Sequence, residues 1–132
     1  MTHILVVEDE GELEHIFSFN LTRRGHTVVE ATSVAEADAQ ARATTVPFEL
    51  VLLDINLPDG SGWDLLRRWQ RQPLARQPKV IVMTAIQPSV ACMHEFAPDA
   101  VLAKPFPIDV MLHTIQRTLQ GTDPNIAQVL ED

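Results

Sequence analysis

Glu8, Asp9, Asp54, Thr84 and Lys104 are the residues whose types and positions can do chemistry. Each stands at or just after the end of an apolar, β-branched run. The runs are His3-Ile4-Leu5-Val6-Val7, Glu49-Leu50-Val51-Leu52-Leu53-Asp54, Lys79-Val80-Ile81-Val82-Met83-Thr84 and Ala100 to Ala103. Such runs read as strands, and in an open parallel α/β sheet ligands bind outside the carboxyl ends of the strands. The five side chains therefore converge on one edge of an apolar sheet. Three carboxylates brought that close repel one another, which a hard divalent cation relieves. Mg2+ takes a few carboxylate oxygens and keeps several waters, which an open cluster offers. A lysine and a threonine hydroxyl opposite the carboxylates suit a phosphoryl group, which needs a cation and hydrogen-bond donors. The set reads as a carboxylate nucleophile with a metal and a phosphate clamp.

The elements that must position this set alternate along the chain. After the first strand comes a helix with Leu13, Ile16, Phe17 and Leu21 on one face, closed by Arg24-Gly25. Thr27-Val28-Val29 is a second strand. Ser33 caps an alanine-rich helix running to about Thr44, with Glu36 at the capping-box position. The third strand, ending at Asp54, is nearly all apolar, as a strand covered on both faces must be. The turn 57–62 leads into a helix with Leu65, Leu66 and Trp69 inward. Between Pro88 and Pro98 the helical pattern is weak, whereas Ile108, Met111, Leu112, Ile115 and Leu119 recur at spacings of three and four. Five βα units in a row imply a parallel sheet with helices on both faces.

Composition narrows the function classes. The chain has 132 residues, enough for one domain, and 45% are hydrophobic, enough for a full core. Ten Lys and Arg stand against 18 Asp and Glu, a net charge of −8 that opposes a free-standing nucleic-acid binder. Apolar runs fall far short of the ~20 residues that cross a bilayer, and the start carries no basic export signal. A single cysteine, Cys92, makes no internal disulfide, and a reducing cytoplasm is the expected setting. We expect one domain over 1–120 and a short tail over 121–132.

The motifs Ile-Leu-Val-Val-Glu-Asp-Glu (4–10), Leu-Val-Leu-Leu-Asp-Ile-Asn-Leu-Pro-Asp-Gly-Ser-Gly (50–62), Val-Met-Thr-Ala (82–85) and Ala-Lys-Pro-Phe (103–106) together resemble the response-regulator receiver domains of bacterial two-component signalling. The resemblance covers about residues 3 to 120. It implies a flavodoxin-like (βα)5 fold, a doubly wound parallel sheet of strand order 2-1-3-4-5 in three layers, α/β/α. It implies that Asp54 accepts a phosphoryl group from a histidine kinase or phosphotransfer protein. Asp9 and Asp54 would ligate Mg2+, with Glu8 acting through water and Asn56 giving its backbone carbonyl. Thr84 and Lys104 would bind the phosphoryl oxygens with the backbone of Asn56 and Ala85, and the Lys104–Pro105 bond would be cis. Output would pass to a downstream protein through the face made by the fourth helix, fifth strand and last helix. The chain would act as a monomer or weak homodimer, as a phosphoacceptor rather than a turnover enzyme, without contacting nucleic acid or membrane.

Some positions depart from the family pattern. Val101 stands where the family usually has the aromatic that moves with the threonine, so Thr84 and Val101 make an unusual switch pair. The stretch from Thr84 to Lys104 is slightly short and carries Pro88 and Pro98, so the fourth helix should be short or displaced. Ile86 cannot orient an attacking water, so loss of phosphate from Asp54 should be slow.

Other residues have plainer readings. The five histidines show no ligand spacing. Cys92 reads as a small buried hydrophobe, Trp69 as core and Trp63 as half exposed. Gly60-Ser61-Gly62 lacks the third glycine of a nucleotide loop and reads as a turn. The competing function is a receiver fold that binds its partner constitutively, without phosphorylation. An aspartyl-phosphate phosphatase would carry its nucleophile on the first strand, and a flavin carrier would not place Glu8-Asp9-Glu10-Gly11-Glu12 where the phosphate must sit.

Overall fold

The computed structural model describes residues 2–121; the expected tail, apart from Gly121, lies outside them. Seven strands and five helices follow one another as β1 (His3–Val7), α1 (Gly11–Arg23), β2 (Thr27–Ala31), α2 (Val34–Ala43), β3 (Leu50–Asp54), β4 (Asn56–Leu57), β5 (Gly60–Ser61), α3 (Gly62–Arg71), β6 (Lys79–Thr84), α4 (Val90–Phe96), β7 (Ala100–Ala103) and α5 (Ile108–Leu119). Five of the strands form one parallel sheet in the order β2-β1-β3-β6-β7, which by count is the expected 2-1-3-4-5. The register sets Ile4 beside Leu50, Leu50 beside Lys79 and Ile81 beside Ala100. The remaining two, β4 and β5, make a small antiparallel pair that the sequence did not announce.

Side chains of successive strand residues point to opposite faces, so the sheet divides the core in two. Leu5, Val7, Val51, Leu53, Val80 and Val82 pack with Val34, Ala37, Leu65, Leu66 and Trp69 under α2 and α3. Ile4, Val6, Leu50, Leu52, Ile81 and Met83 pack with Phe17, Leu21, Met111 and Ile115 under α1 and α5. The central strands are apolar on both sides because both sides are covered. Burying one such side chain contributes roughly 1.5–3 kcal/mol relative to leaving it in water. That layered apolar body holds the polar ends of the strands in place.

Capping side chains fix where the helices begin. Ser33 accepts from the Glu36 backbone N–H, and Asp59, from the loop after β3, accepts from the N–H groups of Val34 and Ala35 at 2.8 and 3.0 Å. Glu36 does not complete a capping box, because its carboxylate accepts from the Thr32 hydroxyl instead. The reciprocal box is at α3, where Ser61 accepts from the Trp63 N–H and Asp64 accepts from the Ser61 N–H. Arg24 ends α1, and Gly25 follows at φ +90°, a conformation glycine adopts at no steric cost.

Two side chains depart from expectation. Ile16 is exposed, and Glu14 takes its place on the inward face of α1. Cys92 is only half-buried, because α4 buries none of its residues. The expected shortness of α4 holds: it has seven residues, is capped by Ser89, and ends at Ala97 in the left-handed region (φ 43°).

Candidate functional site

Glu8 leaves β1 fully buried, its backbone N–H bonded to the Ala31 carbonyl of neighbouring β2. Its carboxylate accepts from the Asp9 N–H at 3.1 Å, which turns the exposed Asp9 side chain toward the same edge. Asp54 is the buried last residue of β3, and its Oδ1 accepts from the Asn56 N–H at 3.1 Å. Lys104 follows β7 and crosses the edge: its Nζ donates to Glu8 Oε1 at 2.7 Å and to Asp54 Oδ2 at 3.0 Å. The lysine thus bridges two carboxylates that would otherwise repel. The Lys104–Pro105 bond is cis.

Charge and burial oppose each other here. Burial, with the Asp54 carboxyl beside it, pushes Glu8 up to about 8 although Lys104 pulls the other way. Burial alone would lower the Lys104 ammonium, but its two carboxylate partners outweigh that and hold it above its usual value. Carboxylate oxygens of Glu8, Asp9 and Asp54 lie within 4.8 Å of one another. Three hard oxygen donors at that spacing, one of them exposed, fit a divalent cation that keeps part of its water shell.

Thr84 lies at the same edge but its hydroxyl is occupied. It donates to the Ile86 carbonyl at 2.9 Å and accepts from the Ile86 N–H at 3.1 Å. Its own carbonyl accepts from the Lys104 N–H, tying β6 to the residue that bridges the carboxylates. Four of the five expected residues therefore form one cluster of charge, and Thr84 faces it across a cavity. That cavity, about 450 Å³, is lined by Asp54, Asn56, Thr84, Ala85, Ile86 and Lys104, and also by Trp63.

The sequence profile described as "Response regulator receiver domain" matches residues 4–116. The chain belongs to this family. Among curated relatives of this receiver domain, the "DNA-binding dual master transcriptional regulator RpaA" of Synechocystis is 30% identical over 93% of this chain and 51% of its own length. The "Virulence transcriptional regulatory protein PhoP" of Salmonella typhimurium is 32% identical over 98% of this chain and 57% of its own. The chain thus spans about half the length of these relatives. Among solved structures, a CheY-like response regulator receiver domain protein of Methanospirillum hungatei superposes with a TM-score of 0.80, 26% identity, and coverage of 92% of this chain and 95% of that one. The response regulator TrrA of Thermotoga maritima, solved in complex with Mg2+-BeF, gives a TM-score of 0.75 at 25% identity, covering 89% and 98%.

Within this receiver domain Val101 is half-buried on β7, beside Val82 in register, and packs on the α2–α3 side of the sheet. Trp63 is half-exposed as expected, and beyond that expectation its ring forms a wall of the cavity. Its signal in the sequence is position: a helix that starts eight residues after the strand-end carboxylate Asp54 opens at the same edge, so its first turn faces the site. No helix of the described residues is long and apolar enough to cross a membrane.

Proposed function

We propose that this receiver domain is a switch whose Asp54 takes a phosphoryl group from a phosphohistidine of a kinase or phosphotransfer protein. One observation carries the reading: Lys104 bridges Asp54 and Glu8 at 3.0 and 2.7 Å with Asp9 alongside. An Asp54 oxygen attacks phosphorus in line, the P–N bond to the donor imidazole breaks, and the imidazole nitrogen keeps the electron pair and takes up a proton. Asp9, Asp54 and the Asn56 carbonyl, with Glu8 through water, are the groups that would hold Mg2+, which would supply positive charge to the transferring oxygens. Lys104 then pairs with a phosphoryl oxygen, the Asn56 and Ala85 N–H groups donate to others, and Thr84 turns its hydroxyl from Ile86 to the phosphoryl group.

The chain is consumed and restored as a substrate, and turnover is not its task. Ile86, 80% exposed at the cavity mouth, offers no group to orient water, so the acyl phosphate persists. Exposed Ile86, Val90, Met93 and Val110 support output to a downstream protein through the α4–β7–α5 face; the reading places the chain in the cytoplasm as a monomer or weak homodimer.

Intact mass after incubation with acetyl phosphate tests this. Wild type should gain about 80 Da, one phosphoryl group, only with Mg2+, and Asp54→Asn should gain nothing. On removal of the donor the adduct should outlast a minute, and Ile86→Glu should change its lifetime. Absence of any adduct on folded protein would make the chain a constitutive binding module instead.

A further inference from the structure

α4 is the least anchored helix of the described residues. None of its side chains is buried, and Val90 at its leading end and Ile86 in the loop before it are 86% and 80% exposed. What holds it is concentrated at its trailing end and comes from α3. The Phe96 ring stacks on Trp63 at 5.3 Å and 18°. On Phe96 also sits the Arg67 guanidinium, 5.3 Å from the ring centre, while Arg67 pairs with Glu95 at 3.3 Å. Gln70 donates to the Glu95 carbonyl at 3.0 Å. A short helix tied at one end and free at the other has two ways to lie, which is the element a switch needs.

Trp63 reaches both that tie and the cavity that holds Asp54, Thr84 and Lys104; among the described residues it is the aromatic that lines this cavity. Its backbone is fixed to the nucleophile's strand end, because the Gly62 N–H donates to the Ile55 carbonyl and Ser61 caps the Trp63 N–H. The opposite wall is the 85–89 loop, which leads straight into α4 and whose turn is closed by the Thr84 hydroxyl. Val101 packs on the same cluster but its β-branched side chain is short and stiff.

We propose that the Trp63–Phe96 stack carries the state of the Asp54 cavity to α4, which swings about its Phe96 end. The inference rests on Asp54 being the phosphoacceptor. A phosphoryl group entering the cavity draws Thr84 away from Ile86, opens the loop turn and presses on the Trp63 wall. The stacked Phe96 passes that displacement to α4, so the relay runs from α3 to α4.

The chain's one cysteine, Cys92, lies half-buried in the middle of α4 and reports its position. Treatment with acetyl phosphate and Mg2+, followed by timed N-ethylmaleimide labelling and intact mass, reads phosphoryl group and label on the same molecules. In wild type the phosphorylated and free molecules should label at rates differing by at least about threefold, the mark of a shifted two-state equilibrium. Phe96→Leu should take up the phosphoryl group yet label both forms equally, Phe96→Tyr should restore the difference, and Val101→Ala should keep it. An unchanged difference in Phe96→Leu overturns the relay. If that variant is unfolded by circular dichroism, an unchanged difference in Trp63→Leu overturns it instead. No difference in phosphorylated wild type also overturns it, whereas no phosphoryl uptake at all brings down the Asp54 reading first.

Discussion

Glu14 sits on the inward face of α1, 4% exposed, where an apolar residue would be expected. The helix geometry explains the exchange with Ile16: at about 100° per residue Glu14 lies roughly 60° round from Phe17, and Ile16 lies about 100° away. Apolar spacing alone did not separate them. The Ser18 hydroxyl donates to the Glu14 carboxyl, and Glu30 lies beside it on β2. Burial first, and then the neighbouring Glu30 carboxyl, raise the Glu14 pKa above 4.5, against Ser18 and the His15 charge. Because the folded value is the higher one, the folded chain binds more protons, and stability falls as pH rises from 4.5 through the folded pKa. Glu14→Gln keeps the shape and cannot ionise. It should therefore melt measurably above wild type at pH 7.5 and close to wild type at pH 4.5. Melting curves at the two pH values check it, and an equal gap at both would mean the carboxyl is not the cause.

The backbone between β3 and α3 leaves no room at Gly62. A Cβ there would stand 2.6 Å from the Asp54 carbonyl oxygen and 3.0–3.1 Å from Ile55 atoms. The Asp54 carbonyl oxygen and the Ile55 Cα are backbone at the strand end that presents Asp54, and backbone cannot move aside as the Ile55 Cδ1 can. Gly62→Ala should lower stability by about 3 kcal/mol through overpacking and also slow phosphoryl uptake at Asp54, read by urea unfolding and by intact mass. A variant as stable as wild type would mean the loop has space to relax. Sequence pattern read 60–62 as a turn and missed this close approach, since nothing in Gly-Ser-Gly says which backbone will lie against it. What the pattern did convey follows from burial. Strands covered on both faces are apolar throughout, so their ends, and with them Glu8, Asp54, Thr84 and Lys104, stood out. The pairing of Trp63 with Phe96 and the turn of the Thr84 hydroxyl to Ile86 depend on how α3 and α4 are set against the sheet, and periodicity within one helix carries no such information.

Over the whole molecule, stability is graded from the sheet outward. Ile4–Val7, Leu50–Leu53 and Ile81–Met83 are wholly shielded from water and bonded to strands on both sides, so their amides open only when the domain unfolds. Domains of this size resist unfolding by about 5–15 kcal/mol. At the other extreme α4 has no fully buried residue, leans on α3 through Glu95 and Phe96, and is held to β6 by the chain that follows it, where Asp99 accepts from the Val80 N–H. Local opening there breaks a handful of solvent-facing hydrogen bonds and leaves both core clusters intact. Native-state hydrogen exchange should therefore find the Met93 amide, bonded to the Ser89 carbonyl, exchanging at least about 1,000-fold faster than the amides of Leu52 and Leu53 once intrinsic rates are removed, a gap of about 4 kcal/mol. The gradient bears on the proposed switch, because a phosphoryl group acting on one cavity wall would need only to bias the weak end of the fold and would leave the strands that aim Asp54 undisturbed. Met93 protection equal to that of β3 would place α4 in the same cooperative unit as the sheet, and any response to phosphorylation would then have to deform the core itself.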